Sequence, residues 1–391
     1  MYEYQTNKIF FAQVPGMMEK LCEEELIELG AKNTEPAYRG VYFEADKTAL
    51  YNINYNSRLL SRVLAPLVKF RCTHPDDLLD IAEDIVWEKI FSLDKTFAIS
   101  ASVAKSEITN SLFAAQRLKD GIADYFRAKF GERPNVDVQK PDVRFNLHIE
   151  ENQAVISLDT SGDSLHKRGY RLLSGDAPMQ ETLAAAIIRI SKWDGEKPLW
   201  DCMCGSGTIL CEALMHYCRI PAQYLRANFG FTYMPDFDSQ IWAAVKSNSD
   251  NKIRPLPEGL LSGSDKLQLT LNIAKDNLSR LPFSEAVTLR CHPFQHIHSF
   301  ENSILITNPP YGIRLGEYEE AQALYKELGD FLKQYCKGTS AFIYTGERSL
   351  QKSIGLKPTL KTPLVNGQLE GLLLQIDSYE GSKKSKYNIM E

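Results

Sequence analysis

A chain of 391 residues with 43% apolar residues has room for two or three domains with real cores. Its formal net charge of −5 excludes a whole-protein polycation, so any nucleic-acid surface must be a local patch. No apolar run approaches the length of a membrane span and the first residues lack the form of a signal peptide, which makes the cytoplasm the expected compartment.

In chain order, the part up to about residue 165 reads as α+β. Lys8-Ile9-Phe10-Phe11-Ala12 predicts a strand, Met17 to Leu29 a helix closed by Gly30, and Gly40 to Glu44 a returning strand. Leu50 to Leu60 resumes a helical pattern and Arg62 to Phe70 predicts another strand. A second unit follows, with Thr96 to Val103 extended, a helix from about Ser111 to Phe130, and strands at Asp142 to Ile149 and Ala154 to Asp159. No repeat period is present, and nothing in this half carries catalytic spacing. It reads as a binding or positioning module.

Ser161-Gly162-Asp163-Ser164 breaks the pattern and marks a boundary. Beyond it strands and helices alternate: Pro198 to Met203 extended, Thr208 to Cys218 helical, Gly259 to Ser264 extended, Leu267 to Arg280 helical, Val287 to Cys291 extended. Ser303 to Thr307, a helix from Glu319 to Cys336, and Ser340 to Thr345 continue it, as in a doubly wound parallel sheet. Asn366-Gly367, between apolar runs at Leu360 to Val365 and Leu369 to Ile376, predicts a hairpin that adds an antiparallel edge pair. The aromatic-rich stretch from Pro221 to Arg254 interrupts the alternation and is expected to pack over one end of this sheet. The basic tail around Lys383-Lys384 reads as a solvated end.

Asp201-Cys202-Met203-Cys204-Gly205-Ser206-Gly207-Thr208 joins the first of these strands to the first helix. Gly205 and Gly207 permit a tight turn and close backbone approach, which puts a ligand at the helix N-terminus. The third glycine of a dinucleotide fingerprint is missing, and so is the Lys-Ser/Thr of a P-loop, so a nucleoside cofactor without a pyrophosphate fits better. Cys202 and Cys204 are too close for zinc spacing and have no matching second pair, and the remaining cysteines read as small reduced core residues; no metal is expected. Asp265, after the next strand, suits the two hydroxyls of a ribose; capping the following helix is the competing role.

Asn308-Pro309-Pro310-Tyr311 follows the apolar run Ile304 to Thr307. The Asn308 amide oxygen and the Pro309 carbonyl can both accept hydrogen bonds from an exocyclic amine, and two successive prolines hold those acceptors in place. Tyr311 either stacks on a planar base or packs in the core.

These elements, in this order, resemble the S-adenosylmethionine-dependent methyltransferases that act on exocyclic amines of nucleic-acid bases. The closer likeness is to the THUMP-domain guanine-N2 methyltransferases of ribosomal and transfer RNA. It is carried by Leu165-His166-Lys167-Arg168-Gly169-Tyr170-Arg171, Ala177-Pro178-Met179-Gln180-Glu181-Thr182-Leu183-Ala184-Ala185, the Cys-Gly-Ser-Gly-Thr turn, and Asn308 to Gly316. The resemblance implies a Rossmann-like class I methyltransferase, an α/β fold with a mixed sheet and antiparallel edge hairpin, preceded by an α+β ferredoxin-like/THUMP module. It implies a ferredoxin-like lead segment over 1–60, a THUMP domain over 61–165 and a methyltransferase domain over 166–391. The implied cofactor is S-adenosylmethionine and the implied partner is RNA, with 23S ribosomal RNA the nearer match and guanine N2 the methylated atom.

By the same resemblance, Glu181 and Thr182 close over the cofactor and Lys167 and Arg168 contact RNA phosphate. Arg117, Lys119, Arg127 and Arg133 would supply further phosphate contacts, although the interleaved Asp120, Asp124 and Glu132 make a solvated helix face an equal reading. Two positions depart from the family. Cys202 replaces a usual Pro, and His292 stands where relatives commonly carry an Asp for the adenine amine; a ring nitrogen there either takes over that contact or faces solvent. Larger relatives continue into a second methyltransferase domain, so only the first of their two activities is implied. The rival readings are an adenine-N6 DNA methyltransferase, a transfer-RNA guanine-N2 methyltransferase and a non-catalytic RNA-binding assembly protein.

Overall fold

The computed structural model describes residues 1–173, 179–312 and 317–378. Ala177-Pro178, the segment Ile313 to Gly316 and the basic tail fall outside them. Two compact units are present: residues 1–14, 19–167 and 226–248 form one, and residues 15–18, 168–225 and 249–391 the other.

The first unit runs α1 (Glu3–Asn7), β1 (Ile9–Gln13), α2 (Glu19–Glu28), β2 (Lys32–Ala37), β3 (Gly40–Glu44), α3 (Lys47–Asn56), β4 (Arg62–Arg71), α4 (Asp77–Asp84), β5 (Phe97–Ala104), α5 (Ser111–Phe130), β6 (Val143–Glu150) and β7 (Gln153–Asp159). One sheet of order β2-β3-β1-β4-β7-β6-β5 crosses the predicted division at residue 60, because β1 pairs with both β3 and β4. All its pairings are antiparallel except β5 beside β6. α5 matches its sequence signals: the Asn110 side chain accepts from Phe113 N at 3.0 Å, and Gly131, at φ +76°, closes the helix in the left-handed region.

Three elements differ from expectation, each for an identifiable reason. α2 starts at Glu19 because Met17 sits at φ +65°, outside helical space. α3 stops at Asn56 and not near Leu60, since the buried Glu25 carboxylate captures the Ser57 hydroxyl at 2.7 Å, Arg58 N at 2.9 Å and Leu59 N at 3.1 Å. Those donors are thereby satisfied outside a helix. β2 has no apolar alternation and contains Pro36; it is tolerated only as an edge strand.

The chain continues through α6 (Glu181–Ser191), β8 (Leu199–Asp201), α7 (Thr208–Tyr217), α8 (Ser239–Asp250), β9 (Leu261–Asp265), α9 (Gln268–Leu278), β10 (Thr288–Cys291), β11 (Ile304–Thr307), α10 (Glu317–Tyr335), β12 (Ser340–Thr345), β13 (Leu360–Asn366) and β14 (Leu369–Asp377). The second sheet has the order β10-β9-β8-β11-β12-β14-β13, parallel as far as β12, with β14 inserted antiparallel beside it and β13 at the edge. Strand order reverses between β8 and β11, which opens a crevice at their carboxyl ends. Under one face of this sheet Trp200, Leu305, Ile343 and Leu374 pack against Tyr325, Leu328 and Leu332 of α10. No helix among the described residues is long and apolar enough to cross a membrane.

The aromatic insertion is a correction to the sequence reading. Residues 226–248 belong to the first unit and pack on α3, not over an end of the second sheet. The Phe231 ring lies 4.6 Å from Tyr51 and 4.9 Å from Phe229, and Trp242 meets Tyr55 edge-on at 5.3 Å. Tyr51 OH also accepts a hydrogen bond from Asp238 N at 3.0 Å, and Tyr4 OH donates to Asp236 at 2.7 Å. Apolar aromatic area is buried where α3 offers rings to pack against and the Tyr51 hydroxyl as an acceptor for the insertion's backbone.

Phe231 is fully buried. Phe231→Ala should therefore destabilise the first unit by about 3–5 kcal/mol in chemical unfolding. Hydrogen exchange should speed up in α3 and leave β8, β11 and β12 protected.

Candidate functional site

A tight turn built on two glycines follows β8. Cys204 N donates to Ser264 O at 2.9 Å and Gly207 N to Cys204 O at 2.8 Å, folding the chain back on itself with Gly205 at φ +53° and Gly207 at φ +80°. A Cβ on Gly207 would stand 3.0 Å from the Ala274 methyl of α9, so this glycine lets the helices approach. A Cβ on Gly205 would meet nothing within 4 Å, so here the backbone is left open. Thr208 then begins α7, whose first N–H groups lie at the crevice.

Asp265, the last residue of β9, braces this turn: its carboxylate accepts from Gly205 N at 3.1 Å and from Leu267 N at 2.9 Å. The cap position of α9 is Leu267, so Asp265 holds the connecting loop and does not cap the helix. A carboxylate has about four lone-pair sites, and these two contacts leave acceptor capacity for a ligand hydroxyl.

On the other side of the switch point, Thr307 Oγ1 donates to Asp201 Oδ1 at 2.9 Å, joining the end of β11 to the end of β8. Met203 N adds a second hydrogen bond to the same oxygen at 3.2 Å. Both side chains are buried. Burial pushes the Asp201 carboxyl up to about 7, against the opposing effect of those two donors, and the Asp265 charge raises it further.

Asn308 follows directly, with Oδ1 buried and, among the described residues, bonded to nothing. Pro309 is buried and Pro310 exposed. Tyr311 stands apart from the stacking role that the sequence allowed: at 8% exposure it belongs to the apolar cluster under α10, its ring against Gly346, where an added Cβ would lie 2.8 Å from it. As placed, the ring offers a base no open face.

A further group gathers at the start of α7. Arg171 donates from Nε to Glu181 Oε1 at 2.8 Å, and from Nη2 to Met179 O at 2.8 Å and Thr208 Oγ1 at 3.1 Å. Burial opposes its charge, but Glu181 more than compensates and holds the guanidinium pKa above its ordinary value. Asn277 of α9 stitches the same segment to the glycine turn, accepting from Leu172 N at 2.8 Å and donating to Ser206 O at 2.9 Å and Leu173 O at 3.2 Å. Sequence reasoning singled out neither Arg171 nor Asn277 for a role; only the long-range geometry brings them to the turn. Thr182 is fully buried beside Glu181 in the first turn of α6.

Arg168 does not reach a surface. Its side chain is wholly buried and paired at 3.3 Å with the equally buried Glu212, which also accepts from Tyr170 OH at 3.0 Å. A phosphate-contacting role for Arg168 is thus corrected to a structural one, anchoring the segment that delivers Arg171. Lys167 is exposed and 3.8 Å from Asp163. Among the α5 cations, Arg117 pairs with Asp76, Lys119 with Asp120 at 2.5 Å and Arg127 with Asp124 at 2.6 Å, as a solvated ion-paired face would. Arg133, beyond the helix, is exposed. His292 follows β10, half-buried, with Nδ1 3.3 Å from Pro293 O. Among the described residues no group of His, Cys, Asp or Glu is arranged to hold a metal ion.

Comparison with known proteins gives these features a context. Three family models match the chain: an RMKL-like methyltransferase domain over residues 168–375, a THUMP domain over 72–159 and an RlmL ferredoxin-like domain over 9–64. A Synechocystis protein named "Putative RNA methyltransferase slr0064" is 36% identical over 375 residues, covering 96% of this chain and 98% of the relative. Ribosomal RNA large subunit methyltransferase K/L of Syntrophotalea carbinolica is 35% identical over 384 residues, 95% of this chain and 54% of that protein. The chain spans about half the length of the K/L relatives. A solved methyltransferase complexed with SAH superposes with a TM-score of 0.83 at 27% identity, covering 96% of this chain and 99% of its own. A Listeria monocytogenes structure described as an N6-adenine-specific DNA methylase gives 0.81 at 26% identity, covering 97% and 98%.

The raised Asp201 pKa has a thermodynamic consequence. Because the folded value of about 7 lies above the ordinary 3.8, the folded chain holds an extra proton between them, and stability falls as pH rises through that window. Asp201→Asn keeps an acceptor for Thr307 and removes the charge. It should melt higher than the wild type at pH 8, by at most about 4 kcal/mol of stability, with the advantage vanishing near pH 4. Thermal melts across that range provide the check.

Proposed function

The chain belongs to the RMKL-like methyltransferase family, and from that premise we propose that it transfers a methyl group from S-adenosylmethionine to the exocyclic N2 of a guanine in large-subunit ribosomal RNA. The observation that carries this reading is the buried Asn308 Oδ1, an acceptor with no donor among the described residues, at the end of the strand beside the glycine turn. A native fold seldom leaves such an atom unsatisfied without a use for it. An exocyclic amine supplies the missing N–H.

The residues present suit the cofactor. Gly205 leaves open backbone at the head of α7, and Asp265 retains acceptor capacity for a ribose. S-adenosylmethionine supplies an electrophilic methyl group on a sulfonium that is its own leaving group. The protein's part is orientation: Asn308 Oδ1 and the Pro309 carbonyl accept from the amine, fix the plane of the base and point the nitrogen lone pair out of conjugation. Thr307 carries Asn308 and is itself tied to Asp201, so the amine grip and the cofactor turn share one hydrogen bond. Burial around Asn308 keeps water from competing for the same acceptor.

RNA is favoured as the substrate by the THUMP match over 72–159 and by the names of the relatives. The pair of acceptors at Asn308 and Pro309 by itself would serve an adenine N6 equally.

Transfer of labelled methyl to total RNA and, in parallel, to genomic DNA, both from a strain lacking the protein, followed by nucleoside analysis, tests the proposal. N2-methylguanosine in large-subunit RNA is expected; label in N6-methyladenine of DNA would replace it with the rival reading. Asn308→Ala should lower the transfer rate by about 100-fold or more while SAH affinity, measured by calorimetry, changes little. Thr307→Val should leave SAH affinity within a few-fold and lower kcat by roughly tenfold, since it loosens the tether without removing the acceptor.

A further inference from the structure

Arg171 is the one cation in the second unit whose hydrogen bonding, among the described residues, converges on the glycine turn and stays incomplete. Nε and Nη2 are engaged by Glu181, Met179 O and Thr208, while Nη1 is buried and has no acceptor. A guanidinium presents its donors in a rigid planar fork, so a nitrogen left unbonded cannot be swung to solvent without breaking the other three contacts. Leaving a charged donor buried and unsatisfied is costly, and a fold that needed Arg171 only to hold Glu181 could use a shorter or neutral donor.

The surroundings restrict what would complete it. Thr208, bonded to Nη2, is the first residue of α7, a helix of 10 residues whose N-terminus favours negative charge. Asn277 binds both the Arg171–Leu173 segment and Ser206 O, fixing the guanidinium beside the turn. The buried Arg168–Glu212 pair anchors the chain immediately upstream. An acceptor that is anionic and planar meets these requirements. Glu181 already balances the guanidinium, so the entering anion must bring its own positive charge; a zwitterionic amino-acid group does so through its α-ammonium.

We propose that Arg171 binds the carboxylate of the cofactor's methionyl group through Nη1, with Glu181 holding the guanidinium in place. The assignment rests on the reading of the cofactor as S-adenosylmethionine. It makes Arg171 a cofactor ligand and Glu181 a positioning residue.

Calorimetry on the full chain with S-adenosylhomocysteine and with its decarboxylated analogue, S-adenosyl-3-thiopropylamine, tests this without any turnover. The wild type should prefer S-adenosylhomocysteine by roughly 10- to 100-fold, the range expected of one charge-assisted contact. In Arg171→Gln that preference should collapse to within a few-fold, because only the carboxylate-bearing ligand loses affinity. Equal weakening of both ligands would overturn the proposal in favour of a purely structural Arg171, and so would a wild type that does not distinguish them. A wild type that binds neither ligand would overturn the cofactor reading itself, a separate result. If Arg171→Gln does not fold, Arg171→Lys retains the charge without the fork and should lose part of the preference; an undiminished preference there would also overturn the proposal.

Discussion

One buried side-chain hydrogen bond, Thr307 Oγ1 to Asp201 Oδ1, ties together the carboxyl ends of the two paired strands at which the second sheet changes direction. β8 and β11 are neighbours only because the chain crosses over after β10, and everything with chemical potential hangs from their carboxyl ends. On one side the glycine turn leads into α7; on the other Asn308 begins the proline pair. A carboxylate in such a place is expensive, which is why burial drives its pKa to about 7. The fold keeps it because a neutral apolar pair would close the crevice without fixing its two rims to one another. The cost in stability is the counterpart of a site with a defined separation between cofactor turn and amine grip.

Much of this could be read from residue order. Alternating apolar runs and helical periodicity gave the strands of the second sheet, and Asn366-Gly367 gave its terminal hairpin, with Gly367 at φ +67° as the turn requires. These signals are local, so a linear reading captures them. α5 is likewise self-declaring, with Asn110 and Gly131 marking both ends.

What escaped the sequence depends on partners far along the chain. The insertion's aromatics announced burial but not against what, and α3 answered because Tyr51 and Tyr55 complement them. Arg168 looked like a surface cation until Glu212, a helix away, proved to be buried beside it. Tyr311 was expected to stack on a base, with the core as its other environment, and the apolar cluster under α10 took it. Glu25 ended α3 early by offering acceptors to three donors at once. In each case a tertiary interaction overrode a local preference.

Arg171 and Asn308 each hold one buried polar atom that no described residue partners, the first beside the glycine turn and the second at the end of β11. The Arg168, Glu212 and Tyr170 group closes on itself around one carboxylate oxygen, as a structural network does. Asn277 likewise spends both ends of its amide on backbone. Arg171 Nη1 and Asn308 Oδ1 are the opposite pair: a cationic donor near the helix start and a neutral acceptor at the end of β11, each buried and each unanswered. Their polarities are complementary to the two ends of the proposed reaction, an amino-acid carboxylate at one and an amine at the other. Packing alone would have removed both atoms or matched them to neighbours. Their retention is best explained by ligands that satisfy them in turn, with the Asp201–Thr307 bond holding the rims of the crevice between.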